Sequence, residues 1–296
     1  MTGYLAPVGL EEELKEELQG SVEQYGRLFI TKSSFQKVYW AQNIWYDPIR
    51  IPFSSISDAA KQLRSIHPLW SFYPYQSIRR ALLISEQLPY FSPKRWAFPS
   101  HLPLSPLGSW TLLDSNTLLA SSRCSSPFAN GEIHFQESEI PPGRAYLKLW
   151  EILTRIGQWP KAGEKCLDLG ASPGSWIWVL QRLGAQVVAV DRAPLDPKIA
   201  RLPGVSFLKK DAFSTMPDDL HSVDWVFSDV ICFPEKLLNW IQKCSAFHAK
   251  INFVCTIKFQ GKSDLSIIKE FEKIEGSSCL HLFHNKHELT WFKINS

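Results

Sequence analysis

The sequence lacks the features of a disulfide-bonded, zinc-binding or membrane-spanning protein. Its six cysteines are scattered and none forms a C-x-x-C pair, so we expect free thiols in a reducing compartment and no metal site. No apolar run approaches the ~20 residues that a membrane-spanning helix needs. The opening stretch MTGYLAPVGLEEELKEELQG has no basic segment followed by an apolar core, so a secretory signal is not expected. These absences predict a cytoplasmic protein without a membrane partner.

Charge and aromatic rings are present but unevenly distributed. The formal net charge is +3, yet residues 24–131 hold eleven Lys and Arg against four Asp and Glu, together with 18 of the 38 aromatic residues. Basic and aromatic side chains in combination bind single-stranded or looped RNA, through phosphate pairing and base stacking. The alternative is a small domain whose aromatics form its core and whose charges are solvated.

Proline divides the chain into two parts with different patterns. Thirteen of the twenty prolines fall in the first half, and five lie within 89–108, which predicts an irregular connection there. Before it, the spacing of leucines predicts a helix over 10–20, and GRLFITK at 26–32 predicts a strand. A second helix is predicted over 55–66 with Ser57 as its N-cap. This order indicates a small α+β domain.

The second half alternates short aliphatic runs with helical stretches. The runs are KCLDLG, AQVVAVD, VSFLKKD, DWVFSDV and INFVCTIK. Such alternation predicts an α/β domain, a doubly wound and mostly parallel sheet with helices on both faces. The tail CLHLFHNKHELTWFKI predicts a closing antiparallel hairpin around NKH. We therefore expect an α+β domain over residues 1–135 and the α/β domain over residues 136–296.

A glycine-containing turn, DLGASPGSW, follows the first strand of the α/β domain. Serines occupy two of the positions that the dinucleotide fingerprint G-x-G-x-x-G reserves for glycine, so a pyrophosphate site is disfavoured. Asp191, 21 residues after Gly170, is suited to accept a ribose hydroxyl, and Asp211 could meet an adenine amino group. These features favour a nucleoside such as S-adenosylmethionine. The alternative is a structural turn, with both aspartates acting as helix caps.

Five motifs resemble those of one enzyme family. DLGASPGSW resembles D-L-G-A-x-P-G-G-W of the FtsJ-like ribose 2′-O-methyltransferases, with Ser175 in place of the second glycine. GRAYLKLWEIL resembles the helix R-A-x-x-K-L of that family, and SDV its S-D-M. TIKFQG is similar to V-K-x-F-x-G, and HNKHELTWFKI to the hairpin R-x-x-S-x-E-x-Y. The resemblance covers residues 141–296 and is greatest to the RlmM-type enzymes, which modify a cytidine ribose of large-subunit ribosomal RNA.

The resemblance implies a Rossmann-like methyltransferase fold, S-adenosylmethionine as cofactor and RNA as partner. It also implies an N-terminal domain that is ferredoxin-like but too short for the complete RNA-binding half of the RlmM-type enzymes. The residues implied for cofactor binding are Gly170, Ser172, Pro173, Gly174, Trp176, Asp191, Asp211 and Asp229. The implied catalytic tetrad is Lys148, Asp229, Lys258 and Glu288.

Ribose methylation explains why such a tetrad is needed. A hydroxyl is a poor nucleophile, so the protein must hold it in line with the methyl carbon and accept its proton. Our hypothesis is that Lys258 accepts the proton while Lys148, Asp229 and Glu288 position it and the substrate. The first prediction for function is thus an S-adenosylmethionine-dependent RNA 2′-O-methyltransferase acting on ribosomal RNA. A methyltransferase acting on a base or a protein, and a non-catalytic RNA-binding or assembly factor, are the alternatives.

Each site residue also has a structural interpretation. Lys148 and Lys258 could be solvated, Glu288 could pair across a hairpin, and Asp229 could cap the next helix. Trp176 could be core packing. Three further residues, His281, His284 and His287, lack the spacing of metal ligands and are expected on a polar strand face.

Overall fold

The computed structural model describes the 296-residue chain except residues 34, 92–93, 105–106, 216–219, 221, 248–249 and 296. The chain divides into two compact units. Unit 1 comprises residues 1–97 and 101–136, and unit 2 comprises residues 98–100 and 137–296. The fold class predicted from the sequence, a Rossmann-like α/β domain preceded by a small α+β domain, is confirmed.

In its described residues, unit 1 contains two sheets, three α-helices and a short 3₁₀ helix, Ala129–Gly131. The first sheet has the order β2-β3-β1-β4-β9 with antiparallel neighbours, and the second has the order β5-β8-β7-β6 with only β6 and β7 parallel. Its elements are β1 (Thr2–Leu5), α1 (Glu11–Glu17), β2 (Val22–Tyr25), β3 (Leu28–Thr31), β4 (Asn43–Tyr46), β5 (Ile49–Pro52), α2 (Ile56–Ile66), β6 (Trp70–Phe72), α3 (Ile78–Ser85), β7 (Gly108–Leu112), β8 (Thr117–Ser121) and β9 (Arg123–Cys124).

The first sheet follows a ferredoxin-like order only in part. A ferredoxin-like unit has the element order β-α-β-β-α-β along the chain. Here β1, α1, β2 and β3 follow that order, and β4 takes the place of its last strand. The described residues between β3 and β4 contain no helix. The assignment of residues 1–135 as a ferredoxin-like RNA-binding domain stays a prediction.

The cap predicted for α2 was wrong by two residues. Ser55, in extended conformation, is the N-cap, and its hydroxyl accepts a hydrogen bond from the backbone N–H of Asp58. The Asp58 carboxylate accepts in return from the backbone N–H of Ser54, 2.9 Å away. This reciprocal arrangement satisfies two N–H groups at the helix start, which Ser57 inside the helix could not do.

Many of the aromatic residues of the basic region lie in the core of unit 1. Eight of the 18 between residues 24 and 131 are buried: Phe29, Tyr39, Trp40, Trp45, Phe53, Trp70, Tyr73 and Trp110. The structural alternative therefore accounts for these rings. Basic side chains such as Lys61 and Arg79 lie exposed.

Unit 2 is built on a seven-stranded sheet of order β12-β11-β10-β13-β14-β16-β15. The first five of these strands are parallel, and β16 pairs antiparallel with both β14 and β15. The elements are α4 (Tyr146–Ile156), β10 (Lys165–Leu169), α5 (Ser175–Arg182), β11 (Gln186–Asp191), α6 (Pro197–Ala200), β12 (Val205–Lys209), β13 (Trp225–Ser228), α7 (Pro234–Phe247), β14 (Asn252–Lys258), α8 (Leu265–Glu272), β15 (Ser277–Leu280) and β16 (Glu288–Lys293).

The strand register places helices on opposite faces of this sheet. Phe227 pairs with Val254, which pairs with Phe292, so these side chains share one face and Trp291 lies on the other. The ring of Trp176 in α5 contacts Phe227, and the indole of Trp291 donates to a carbonyl oxygen of α8. Hence α5 and α8 cover different faces.

Among the described residues, no helix combines the length and hydrophobicity required to cross a bilayer. The six cysteines are free thiols.

Candidate active site

Lys148 is buried in a helix that is covered on all sides. All nine residues from Tyr146 to Thr154 of α4 are buried, and Gly157 ends the helix in the left-handed conformation. Lys148 is 8% exposed, so the solvated alternative was wrong for this residue. Its ammonium group donates to both carboxylate oxygens of Asp229 at 2.8 Å and to Oε1 of Glu288 at 3.0 Å.

Three neighbouring strands bring the other members of the tetrad to one edge of the sheet. Asp229 directly follows β13, Lys258 ends β14, and Glu288 begins β16 opposite Lys258. The Lys258 ammonium lies 3.1 Å from Oδ1 of Asp229 and donates to the Asp229 carbonyl oxygen at 2.5 Å. Alternation along the strands puts these residues on the same face as Phe227. Both lysines therefore contact one carboxylate.

The two carboxylates keep Lys148 charged. Burial lowers the pKa of Lys148, but the combined attraction and hydrogen bonding of Asp229 and Glu288 outweigh it and raise the pKa above the ordinary lysine value. At neutral pH Lys148 is an ammonium ion. It orients the Asp229 carboxylate and has no capacity to accept a proton.

The glycine turn has a backbone that only glycine adopts easily. Gly170 has φ +74°, and a Cβ there would lie 2.7 Å from the Cα of Val230. Gly174 has φ +113°, and a Cβ there would lie 2.6 Å from a methyl carbon of Ile199. Ser175 occupies the first turn of α5 and donates through its hydroxyl to the carbonyl oxygen of Gly143 at 3.0 Å. Serine thus suits this position, where the related motif has glycine.

An open cleft of about 210 Å³ begins beside this turn. Gly170, Asp191 and Asp211 line it, together with Val230 and Ile231. The absent side chain of Gly170 lets Val230 approach the turn closely. Two acids at successive strand ends offer acceptors for hydroxyl and amino groups. These residues fit the adenosyl part of S-adenosylmethionine.

The two acids are held differently. Asp191 accepts from the backbone N–H groups of Ser172 at 3.0 Å and Ala193 at 2.8 Å, so the turn itself fixes its carboxylate. Asp211 caps a short 3₁₀ helix through the N–H of Phe213 and forms an ion pair with Arg192. Asp211 therefore acts as a helix cap, which was the structural alternative considered for it.

The remaining predicted cofactor residues shape the turn behind the cleft. Trp176 is 4% exposed, and its indole N–H donates to the carbonyl oxygen of Ala145 at 2.9 Å. The hydroxyl of Ser172 donates to the carbonyl oxygen of Pro194 at 2.8 Å, and Pro173 accepts from the N–H of Asp196 at 3.0 Å. Cofactor contacts of these residues and of Asp229 stay a prediction.

Sequence reasoning missed two buried carboxylates. Glu151 is fully buried in α4. In the sequence, an acid three residues after Lys148 within an apolar run could have pointed to it. Asp168 is 1% exposed at the end of β10, and burial, reinforced by Asp229 and Asp191, raises its pKa well above the ordinary value. In the sequence, an acid between two leucines of a predicted strand could have pointed to it.

The histidines lie in the connection between β15 and β16, so the expected strand face was wrong. His281 is buried, and its Nε2 lies 3.1 Å from the carbonyl oxygen of Lys286. Within the described ranges, no three His, Cys, Asp or Glu side chains are grouped as metal ligands.

Comparison with known proteins identifies the family. The FtsJ-like methyltransferase model matches residues 142–291, half of the chain. The chain belongs to the FtsJ-like methyltransferase family. The cofactor of this FtsJ-like methyltransferase is S-adenosylmethionine, as predicted.

Curated relatives confirm the predicted resemblance to the RlmM-type enzymes. The ribosomal RNA large subunit methyltransferase M of Halorhodospira halophila is 32% identical over 161 residues, which cover 50% of this chain and 46% of that protein. The protein of that name from Marinobacter nauticus is 28% identical over 191 residues, 59% of this chain and 52% of the relative. This FtsJ-like methyltransferase spans about half the length of the curated relatives it matches.

Proposed function

We propose that the protein is an S-adenosylmethionine-dependent RNA ribose 2′-O-methyltransferase that acts on ribosomal RNA. The observation that carries the proposal is the shared carboxylate of Asp229, which contacts the ammonium groups of both Lys148 and Lys258. A methyltransferase that acts on a base or a protein has no need for two lysines and two carboxylates around one point. Membership in the FtsJ-like family supports the same reaction.

The two lysines of the tetrad have different roles in the proposed reaction. Lys148 is a fixed cation held by Asp229 and Glu288, and Asp229 in turn orients Lys258. In the proposed reaction Lys258 in its neutral form takes the 2′-hydroxyl proton as the ribose oxygen bonds to the methyl carbon. When bound, S-adenosylmethionine would supply the electrophilic methyl group from its sulfur, with S-adenosylhomocysteine as the leaving group.

The substrate class is proposed from the relatives. Those described above are named ribosomal RNA large subunit methyltransferases. The exposed basic residues of unit 1 offer phosphate contacts to an RNA, and we assign to this unit the role of RNA binding.

Mapping of 2′-O-methylation across total RNA, with and without the gene, tests the proposed function. We expect one ribosomal RNA mark to disappear in the deletion strain and to return with the wild-type gene. An unchanged map would contradict the proposal and favour the non-catalytic RNA-binding factor. Loss of a base mark would favour the alternative methyltransferase.

The variant Lys258→Ala tests the assignment of the base. We expect methyl transfer to fall by at least about two to four orders of magnitude, because general-base catalysis contributes that much. S-adenosylmethionine affinity by calorimetry should stay nearly unchanged, since Lys258 does not line the cleft. The matched control is Lys273→Ala, an exposed lysine on the same unit paired with Glu270. Retained turnover in Lys258→Ala would refute the assignment.

A further inference from the structure

Glu151 is a fully buried carboxylate that joins α4 to the connection between β15 and β16. Its oxygens accept hydrogen bonds from the backbone N–H groups of Phe283 at 2.9 Å and His284 at 3.0 Å. Arg155, one helical turn further along α4, pairs with it at 2.8 Å. A buried carboxylate without such partners would be strongly destabilising, and here each oxygen has at least one donor.

The connection that Glu151 holds leads directly to a member of the tetrad. Residues 281–287 link β15 to β16, and Glu288 is the first residue of β16. Asn285 in this connection donates to the carbonyl oxygen of Glu288 at 3.2 Å and to the hydroxyl of Thr290 at 3.1 Å. The backbone entering Glu288 is thus fixed from two sides.

The spacing within α4 relates this anchor to the catalytic lysine. Residues three apart lie on the same side of a helix, so Lys148 and Glu151 face the same neighbouring chain segment. Lys148 meets the side chain of Glu288, while Glu151 meets the backbone a few residues before it. One rigid helical turn therefore sets the distance between the Lys148 ammonium and the Glu288 carboxylate.

We propose that Glu151 is a positioning residue for the tetrad, which holds residues 281–287 so that Glu288 reaches Lys148. A buried charge is weak evidence for a role in stability alone, because apolar residues of similar volume often stabilise as well. Two charge-assisted bonds to consecutive backbone N–H groups fix a chain position, which an apolar contact does not. The catalytic consequence rests on the proposed function.

The variant Glu151→Gln tests this inference, with Glu164→Gln as the matched control. Glu164 also anchors backbone, accepting from Lys161 N–H and the Trp225 indole, but at the opposite end of β10. Well below its unfolding temperature, Glu151→Gln should lose about 10- to 100-fold in kcat, the range found for groups that orient metal ligands. KM for S-adenosylmethionine should stay unchanged, and the control should keep wild-type kcat.

A double-mutant cycle separates positioning from general damage. If Glu151 acts through Glu288, its substitution in a Glu288→Gln background should cost little further kcat. An additive loss in the cycle would overturn the inference. Glu151→Asp keeps the charge with a shorter reach, so it should give an intermediate loss and serves if Glu151→Gln does not fold.

A titration of Lys148 by NMR of ¹³C-labelled lysine provides a readout that needs no activity. Retraction of Glu288 should lower the pKa of Lys148 in Glu151→Gln relative to the wild type, and Glu164→Gln should leave it unchanged. This result would support the inference even if the wild-type protein transferred no methyl group to RNA. An unchanged Lys148 titration in Glu151→Gln would overturn it.

Discussion

The two lysines of the tetrad differ in their surroundings, which supports the different roles proposed for them. Lys148 is enclosed by two carboxylates with a side chain 10% exposed, whereas Lys258 contacts only the Asp229 carboxylate among the ion pairs described and is 20% exposed. A raised lysine pKa means that the stability contributed by Lys148 is complete at neutral pH. That contribution is lost only as the pH rises past the ordinary lysine value of ~10.4 and through the raised one.

The buried imidazole of His281 gives a pH dependence in the acid range. Burial lowers its pKa to about 4, so the folded protein keeps the ring neutral while the unfolded chain binds a proton below ~6.5. Stability should therefore fall between about pH 6.5 and 4, by up to about 3 kcal/mol from this group. Urea unfolding at several pH values measures the fall.

The variant His281→Asn isolates this contribution. Asparagine keeps a hydrogen-bond donor but cannot be protonated, so the decline between pH 6.5 and 4 should become shallower. His134→Asn is the control, because that side chain is 55% exposed. Equal slopes for wild type and His281→Asn would show that another group governs acid stability.

At the scale of an element, the glycine turn before α5 combines two separate constraints. Gly170 and Gly276 have nearly the same φ, +74° and +77°, but only Gly170 has atoms within 4 Å of a would-be Cβ. Alanine should cost about 1–2 kcal/mol at both positions for the left-handed backbone. Gly170→Ala should lose a further ~1–3 kcal/mol through overpacking against Val230.

Thermal unfolding of both variants and calorimetry with S-adenosylmethionine measure these effects. Gly170 lines the cleft, so Gly170→Ala should also weaken cofactor binding, whereas Gly276→Ala should not. Equal destabilisation and equal affinity in the two variants would contradict the close approach of Val230.

The elements of unit 2 were predictable because each repeats one simple pattern. The five parallel strands lie within the aliphatic runs of the sequence, because the central strands of such a sheet are buried on both faces and continuously apolar. In unit 1 the helices α1 and α2 were also predicted. Of its strands only β3 was predicted, because strands of two to five residues between prolines are too short to establish a period.

The site was predictable in its members but its geometry was not. Lys148 sits in a run with no polar face, so periodicity could not say whether it was buried. Its partners lie 81 and 140 residues away, and only the register of β14 and β16 brings Glu288 opposite Lys258. The family motifs supplied the tetrad, whereas Glu151 had no motif to point to it.

At the scale of the whole molecule, residues 24–131 carry an excess of positive charge, with eleven Lys and Arg against four Asp and Glu. Lys61 on α2 and Arg79 on α3 are exposed, and the two helices pack against each other. If these side chains bind phosphates, the double variant Lys61→Gln, Arg79→Gln should weaken binding to a single-stranded ribooligonucleotide. The logarithm of the binding constant falls linearly with the logarithm of the salt concentration, and the magnitude of this slope should decrease by about 0.7 for each phosphate that the variant no longer neutralises.

Fluorescence anisotropy between about 50 and 200 mM salt measures this slope. Lys273→Gln removes one positive charge from unit 2 and is the control, expected to change the slope little. An unaltered slope in the double variant would exclude Lys61 and Arg79 from the RNA-binding surface.

The position of β16 has a consequence for the order of folding. This strand follows β15 in the chain but lies between β14 and β15 in the sheet, so β15 has no place until β16 has been inserted. The same insertion delivers Glu288 to Lys148, an interaction that closes a loop of 140 residues. Long loops close late and slowly. During refolding we therefore expect the contact between Lys148 and Glu288 to form in the last kinetic phase, after most of the helical signal has returned.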